Sequence, residues 1–419
     1  MIVFKFGGAS VKNADAVKNL KSILERYNEK IVVVISAMGK TTNALEKLCN
    51  DYFYEKIEKK ESLQIVKEFH LSITNELFDD KNHQIFNDLD LIFADLYRLV
   101  GSKPSVDYSS EYDKIVSFGE IVSTKIIAAY LNYKGNNCEF VDIRSILKTD
   151  DTFQEGKVNW KQTNDLMSRF FTFTQTNTYI TQGFIGSTSN GRTTTLGREG
   201  SDFTAAIIAH SLHAESVTIW KDVDGVLNAD PKWFDNTEKL DNISYLEAIE
   251  LAYYGATVIH PKTIKPLQNK QIPLFVKSFL SPQSEGTVIN ENQLSDKLKP
   301  SFIFKISQVL LSISPRDLSF IMENNLSDIF GVFAKHRVKI NLMQNSAVSF
   351  SVCIDNCQSK IEKLIKDLKK EYKILYNSDM ELATIRHYNQ ATIDRVLTDK
   401  KIYLEQKTRH TARFVLKAR

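Results

Sequence analysis

MIVFKFGGAS, residues 1–10, decides the fold: Ile2, Val3 and Phe4 start a strand-forming run, and Gly7-Gly8 ends it at a turn that leads into a helical pattern. Paired glycines after a strand let the backbone approach a phosphate, while amide N–H groups and the dipole of the next helix supply positive potential. Lys5 adds a full charge at that place. Outward from this turn, strand-like runs at Val3–Phe6, Ile31–Ile35, Glu139–Val141, Tyr179–Thr181, Val217–Trp220 and Leu274–Val276 alternate with longer helical stretches. In Ala14–Tyr27, for example, Val17, Leu20 and Leu24 fall on one face at the helical spacing. This alternation predicts an α/β fold with a mostly parallel sheet buried on both sides.

Residues 41–134 are nearly all helical in pattern and are expected to form a lid or subdomain at the sheet's edge. Ser281–Pro300 holds Pro282, Gly286, Asn290, Asn292, Ser295 and Pro300 with little periodicity, so the domain boundary is expected there. Beyond it the pattern is a strand (Val309–Ile313), a helix (Leu318–His336), two strands meeting near Asn345 and Ser346, a helix (Ser359–Tyr372) and a strand into Leu375. That is a βαββαβ unit. A second set has a strand from Leu382 to Ile385, a helix from Gln390 to Leu397 and strands around Tyr403 and Phe414, then lacks its closing helix and strand. Either a partner chain or residues 301–306 would complete it. The expected domains are residues 1–285, 301–377 and 378–419.

Composition narrows the function. The 419 residues are 42% hydrophobic and 25% charged with only 8 Pro and 16 Gly, which excludes a disordered or low-complexity chain. The best apolar run, Ile31–Met38, is far shorter than the ~20 residues of a spanning helix, so no membrane partner is expected. Only Ile2, Val3 and Phe4 precede Lys5, too little for a secretory signal, which makes a cytoplasmic location the expectation. Cys49, Cys138, Cys353 and Cys357 are scattered and read as reduced thiols. Residues 300–419 hold 20 Lys and Arg against 12 Asp and Glu, and residues 1–299 hold 34 against 39. The basic end alternates charges along an amphipathic helix and carries no stacking-aromatic motif, so it reads as a solvated face and not as a nucleic-acid surface.

Four further stretches carry chemistry. Gly39-Lys40-Thr41-Thr42 imitates the end of a P-loop, but Val34 stands where that motif requires glycine. Its threonines and Asn43 suit either a helix cap or a small polar substrate. Ser117-Phe118-Gly119-Glu120 opens a helix whose carboxylate either complements the helix dipole or receives an ammonium. In TTTLGREGSD, residues 193–202, two glycines permit close approach, Arg198 offers a fork for a carboxylate, and Asp202 can orient a lysine or hold Mg²⁺. KDVDGVLNADPK, residues 221–232, lacks the spacing and closing glutamate of a calcium loop; its acids suit ribose hydroxyls and Lys232 a phosphate. His210 and His213 lack further ligands, so no protein-held metal is expected.

Taken in order, KFGGAS, SAMGKTTN, SFGE, TTLGREGSD and KDVDGVLNADP resemble the aspartate kinases of the amino-acid kinase family over residues 1 to about 280. The tail resembles the tandem ACT units of such kinases. The resemblance implies a three-layer αβα sandwich with a C-terminal α+β ACT-like region, ATP carrying Mg²⁺, and transfer of the γ-phosphoryl group to the side-chain carboxylate of L-aspartate. That reaction opens lysine, threonine and methionine biosynthesis. Carried over residue by residue, it implies that Lys5, Gly7, Gly8 and Ser10 meet the phosphoryl group and that Asp202 organises Lys5. Thr42, Glu120 and Arg198 would hold aspartate, and Lys221, Asp222 and Lys232 the nucleotide. Asn341 and Ser346 mark the candidate effector site for lysine or threonine, in an expected homodimer formed through the ACT units.

This chain departs from the family pattern at Ala9, where threonine is usual, at Glu199, where glycine is common, and at Thr257, which replaces a lysine. Asn341 replaces an acid that pairs with bound lysine in lysine-inhibited relatives. Two other readings remain at this point: a related kinase with another substrate such as glutamate, acetylglutamate or UMP, and a degenerate kinase serving as an amino-acid-sensing scaffold. The scaffold reading predicts loss of Lys5, Arg198 or Asp202, and all three are present.

Overall fold

The computed structural model describes residues 1–234, 236–256, 259–317 and 319–418. Thr257 lies outside the described residues. The chain divides into two units, Met1–Val226 with Lys239–Ile249 and Val258–Gln293 in one, and Leu227–Glu238, Glu250–Thr257 and Leu294–Arg419 in the other. The division is therefore not the single cut after residue 280 that the loop composition suggested.

The first unit holds β1 (Ile2–Phe6), β2 (Ile31–Ile35), β3 (Cys138–Val141), β4 (Lys148–Thr149), β5 (Thr178–Gln182), β6 (Ile185–Thr188), β7 (Thr193–Thr195), β8 (Ser216–Lys221), β9 (Asn242–Ser244), β10 (Leu274–Ser278) and β11 (Thr287–Asn290). Eight of these form one sheet in the order β3-β5-β2-β1-β8-β10-β11-β9, parallel except where β11 runs against β10. Every residue of β1 and β2 is buried, which is why IVVVI reads as an unbroken apolar run: both faces of a parallel sheet are covered. A small sheet, β4-β6-β7, stands apart from it.

Helices α1 (Ala14–Leu24), α2 (Thr41–Phe53), α3 (Lys59–Leu77), α4 (Gln84–Gly101), α5 (Tyr108–Tyr133), α6 (Trp160–Phe170), α7 (Gly200–Leu212), α8 (Tyr245–Tyr254), which passes into the second unit at Glu250, and α9 (Pro261–Asn269) accompany the strands. The expected lid is not one. Leu45, Leu63, Phe93 and Ile126 from α2 to α5 share a single buried cluster with Phe4, Phe6 and Ile35 of the sheet. These helices pack on the sheet because their apolar stripes have nowhere else to be buried. By length and composition α5 passes for a membrane span, yet 78% of that window is buried inside the protein.

The second unit contains β12 (Ser301–Pro315), α10 (Glu323–Lys335), β13 (Ile340–Asn345), β14 (Phe350–Asp355), α11 (Gln358–Leu368), β15 (Tyr372–Arg386), α12 (Gln390–Leu397), β16 (Lys400–Lys407) and β17 (Thr411–Ala418). They build one antiparallel sheet, β13-β14-β12-β15-β17-β16. The two βαββαβ sets are fused through β12 and β15, which run through both. Each long strand breaks stride at the junction: the β12/β15 register shifts between Lys305 and Gln308, and Ser307 and Asp379 sit at φ 54° and 58°. Ser301–Lys305 pair with Leu382–Arg386, so the chain itself supplies the missing closing strand of the second set. Instead of the missing helix, Leu227–Glu238 brings Ala229 and Phe234 onto Phe302, Ile385 and Phe414, and Asn228 accepts the amide of Phe302 at 2.7 Å.

Phe302 therefore belongs to the second core. Phe302→Ala is expected to cost about 3–4 kcal/mol in chemical denaturation, as large-to-small substitutions in packed cores do; a cost near zero would mean that residues 301–305 do not complete this sheet.

Candidate active site

Strand β1 ends where the glycines begin, and this delivers Lys5, only 8% exposed, to the carboxyl edge of the sheet. Lys5 Nζ lies 2.5 Å from Asp202 Oδ1. The approach is an ion pair rather than an aligned hydrogen bond, since Oδ1 has no hydrogen-bond partner. Asp202 is buried in the first turn of α7, and Lys221 at the end of β8 approaches its other oxygen at 3.9 Å. Two cations and a helix N-terminus thus surround one carboxylate, an arrangement suited to a polyphosphate.

The neighbouring turns lie too close for side chains. A Cβ on Gly8 would stand 2.8 Å from Ala37 O and 2.9 Å from Gly39 O, and the Gly39 amide donates to Gly8 O at 3.0 Å. Thr41 is used structurally, its hydroxyl donating to Met38 O at 2.6 Å, which leaves Thr42 to face the cavity. Gly119 brings α5 against the same turn, where a Cβ would touch Ala37, Leu45 and Thr41 at 3.0–3.1 Å. One residue on, Glu120 is buried at 3% exposure and its Oε2 has no partner. Burial pushes its pKa up to about 8, against the Ala37 amide and the charge of Lys5, which both favour the anion.

Past β7, Gly197 at φ 78° and Glu199 at φ 54° turn the chain into α7 through left-handed conformations and leave Arg198 exposed at the cavity's edge. Together these segments enclose a cavity of about 690 Å³ lined by Lys5, Gly8, Thr42, Glu120, Arg198, Asp202 and Lys221. Among the described residues no histidine or cysteine lines it. One region therefore offers cations and amides for phosphate, and another offers a carboxylate and a guanidinium for a small zwitterion.

Several residues implied by the resemblance stand elsewhere. Ser10 is buried and donates to Trp220 O at 3.0 Å, tying the glycine turn to β8. Gly7 and Asp222 are not part of the lining, although a Cβ on Gly7 would lie 3.4 Å from Lys5 Nζ. Lys232 belongs to the second unit, where its amide donates to Asp230 Oδ1. In that unit Asn341 is buried and engaged with Lys305, Gln308 and Asp355, while Ser346 closes its own turn onto Ser349. The motifs missed Glu46 and Tyr112, which line the cavity as a pair with Tyr112 Oη donating to Glu46 Oε1 at 2.6 Å, and also Gln154 and Glu155; Thr195 lies inside the TTTLGREGSD stretch, which assigned it no role. The first pair are 66 residues apart and no local pattern joins them.

The sequence profile of the amino acid kinase family matches residues 1–278. The chain is 31% identical over 361 residues to lysine-sensitive aspartokinase 3 of Escherichia coli (strain K12), covering 86% of this chain and 79% of that one. The crystal structure of E. coli aspartokinase III in complex with aspartate and ADP superposes with TM-score 0.83 at 26% identity, over 99% of this chain and 96% of that one. The same enzyme in complex with lysine and aspartate superposes with TM-score 0.82 at 27% identity, over 99% and 95%.

Glu120 makes stability depend on pH. Folded, it keeps its proton to about pH 8; unfolded, it releases it near 4.5. Between those values the folded state binds more protons, so this group's contribution to stability falls as pH rises. Melting temperatures of the ligand-free protein measured from about pH 5 to 8 are expected to show a downward component that Glu120→Gln removes; parallel curves would clear Glu120 of it.

Proposed function

This chain belongs to the amino acid kinase family, and from that premise we propose that it transfers the γ-phosphoryl group of ATP to the side-chain carboxylate of L-aspartate, giving 4-phospho-L-aspartate and ADP. One observation carries this reading: the Lys5–Asp202 pair with Lys221, and the Glu120–Arg198 combination with Thr42, line the same cavity. Glu120 receives the substrate ammonium and Arg198 a substrate carboxylate. An arriving ammonium must ionise Glu120, which couples binding to proton release at neutral pH.

The other carboxylate attacks the γ-phosphorus in line. A carboxylate O–P bond forms, the bond from phosphorus to the β–γ bridging oxygen breaks, and ADP leaves with the electron pair. The nucleophile is already anionic at pH 7, so no general base is required, consistent with a lining without histidine. What the step needs is charge placed around the migrating phosphoryl group. Lys5, Lys221, the Gly8 turn and the N-terminus of α7 supply it, and Asp202 keeps Lys5 aimed.

The donor set fits a magnesium ion that arrives on the nucleotide. Asp202 is a buried carboxylate lining the cavity, with Oδ1 against Lys5 and Oδ2 3.9 Å from Lys221, and among the described residues no cluster of three or more His, Cys, Asp or Glu is placed to hold a metal by itself. When bound with ATP, Mg²⁺ would neutralise phosphate charge, with Asp202 as its protein contact.

For the second unit we propose lysine as effector, since the complex with lysine is of a related enzyme, and pairing of two copies through the C-terminal sheet, whose edge strand β13 exposes Met343. The free cysteines accord with a cytoplasmic location.

The test mixes the protein with Mg-ATP, L-aspartate and hydroxylamine, which traps an acyl phosphate as a hydroxamate. Hydroxamate from aspartate and little from glutamate is expected; none above the no-enzyme blank would favour a sensing scaffold, and a preference for glutamate a different kinase. Lys5→Ala is expected to lose about 3 kcal/mol of transition-state stabilisation, roughly a hundredfold in kcat, with little change in nucleotide affinity. Near-native turnover would take Lys5 out of the mechanism. Added lysine is expected to lower the rate or raise Tm, and no effect on either removes lysine as effector.

A further inference from the structure

Glu120 and Arg198 lie on different elements, so something must set the gap between them. Seven residues before Glu120, and so on the same face of α5 about 10 Å away, is Asp113. It is fully buried, and no step derived above uses it. Its carboxylate accepts the Gln154 amide at 3.1 and 3.0 Å, the Thr195 amide at 2.8 Å and the Thr195 hydroxyl at 2.7 Å. Burial pushes its pKa up to about 6, and these bonds favour the anion.

Those donors come from two segments, the loop after β4 and the end of β7. The segments are joined to each other: the Gly156 amide donates to Thr195 O at 2.8 Å, and a Cβ on Gly197 would stand 3.1 Å from Gln154 O. The joined segments form the cavity wall that contains Gln154, Thr195 and Arg198.

We propose that Asp113 is a positioning residue for the acceptor substrate, pegging this wall to α5 so that Glu120 and Arg198 face a diacid of fixed length across a constant gap. The identity of that diacid rests on the aspartate reading; the peg does not. Only an ionised carboxylate presents acceptors on both oxygens and no hydrogen. An asparagine here turns an NH₂ group toward backbone or hydroxyl donors, and the wall must move to relieve the clash.

Asp113→Asn is expected to raise KM for L-aspartate about tenfold while KM for ATP and kcat change less than about threefold, the pattern of lost ground-state positioning. The preference for aspartate over glutamate in kcat/KM is expected to fall with it. Amide exchange at Gln154 and Thr195 is expected to accelerate while β1 and β2 keep their protection. Thr195→Val, which removes a single donor, should shift the same quantities in the same direction by less, and carries the test if the asparagine variant does not fold. An equal rise in both KM values, or an unchanged KM for aspartate, overturns the proposal, as does unaltered exchange. Wild-type protein that forms no hydroxamate from aspartate overturns the reading of the reaction instead, and the exchange measurement then judges the peg alone.

Discussion

The contact between Lys5 and Asp202 is the constraint on which the rest of the first unit depends. Both groups are less than 10% exposed. Removing each charge from water costs several kcal/mol, and a well-packed apolar pair in the same space is often as stable. The pair is therefore poorly explained as a stabilising device. What it enforces is geometry: β1 and the start of α7, almost two hundred residues apart in the chain, must end at the same point. The sheet supplies that meeting place, since β1 lies at its centre between β2 and β8, with Phe6 beside Ile35 on one side and Trp220 on the other. Ligands of open α/β sheets gather at this edge because the loops leaving the strands converge there.

Around that pair the site is made of backbone brought closer than side chains allow. Gly8 against Ala37 and Gly39, Gly119 against Thr41, and Gly183 against Ser201 are three approaches at which a Cβ would collide or press. Glu199 is the exception. It occupies the left-handed region at the entry to α7, a conformation that costs a residue with a side chain on the order of 1 kcal/mol and that glycine adopts freely. Its Oε2 is buried without a partner beside the cavity. The departure from glycine at this position thus adds local strain and places a further carboxylate at the cavity.

How much of this was legible in the sequence follows from how local each feature is. The strands β1, β2, β5, β8 and β10 announce themselves by composition, and each glycine turn marks a place where the chain must bend near a ligand. Lys5, Arg198 and Asp202 were readable because each sits within a few residues of such a turn, whereas Glu120, expected where SFGE opens a helix, lies in the middle of α5. The peg at Asp113 was not, because its partners at Gln154 and Thr195 are 41 and 82 residues away and nothing in DYSSEYDK distinguishes a buried acid from a solvated one. Short strands such as β4 and β7 escape for the same reason, since their few residues are held by pairing and not by pattern. Leu227–Glu238 misled in the opposite direction. Its acids and Lys232 resemble a nucleotide loop, but Ala229 and Phe234 place the segment in the second core, a fact decided by packing at a distance of some seventy residues from Phe302.

The same logic accounts for Asn341. At the junction of the fused sets, the amide oxygen of Asn341 accepts from Lys305 Nζ at 2.9 Å while its NH₂ donates to Asp355 Oδ1 and Gln308 Oε1, both at 2.8 Å. Burial would raise the pKa of Asp355, yet bonds from Gln308 and Asn341 and the charge of Lys305 hold it below its ordinary value. The site already contains one buried cation and one anion. An aspartate at 341 would set a second carboxylate within hydrogen-bond distance of the first and remove one of the donors that keep Asp355 ionised, so the two acids would raise each other's pKa. A neutral side chain that accepts on one side and donates on the other satisfies every neighbour at once. Arg413 completes the cluster by donating to Asn341 O at 2.6 Å while stacking over Tyr254. The replacement of an acid by asparagine is thus coupled to the chain's own Lys305, whose ammonium lies against the Asn341 amide oxygen.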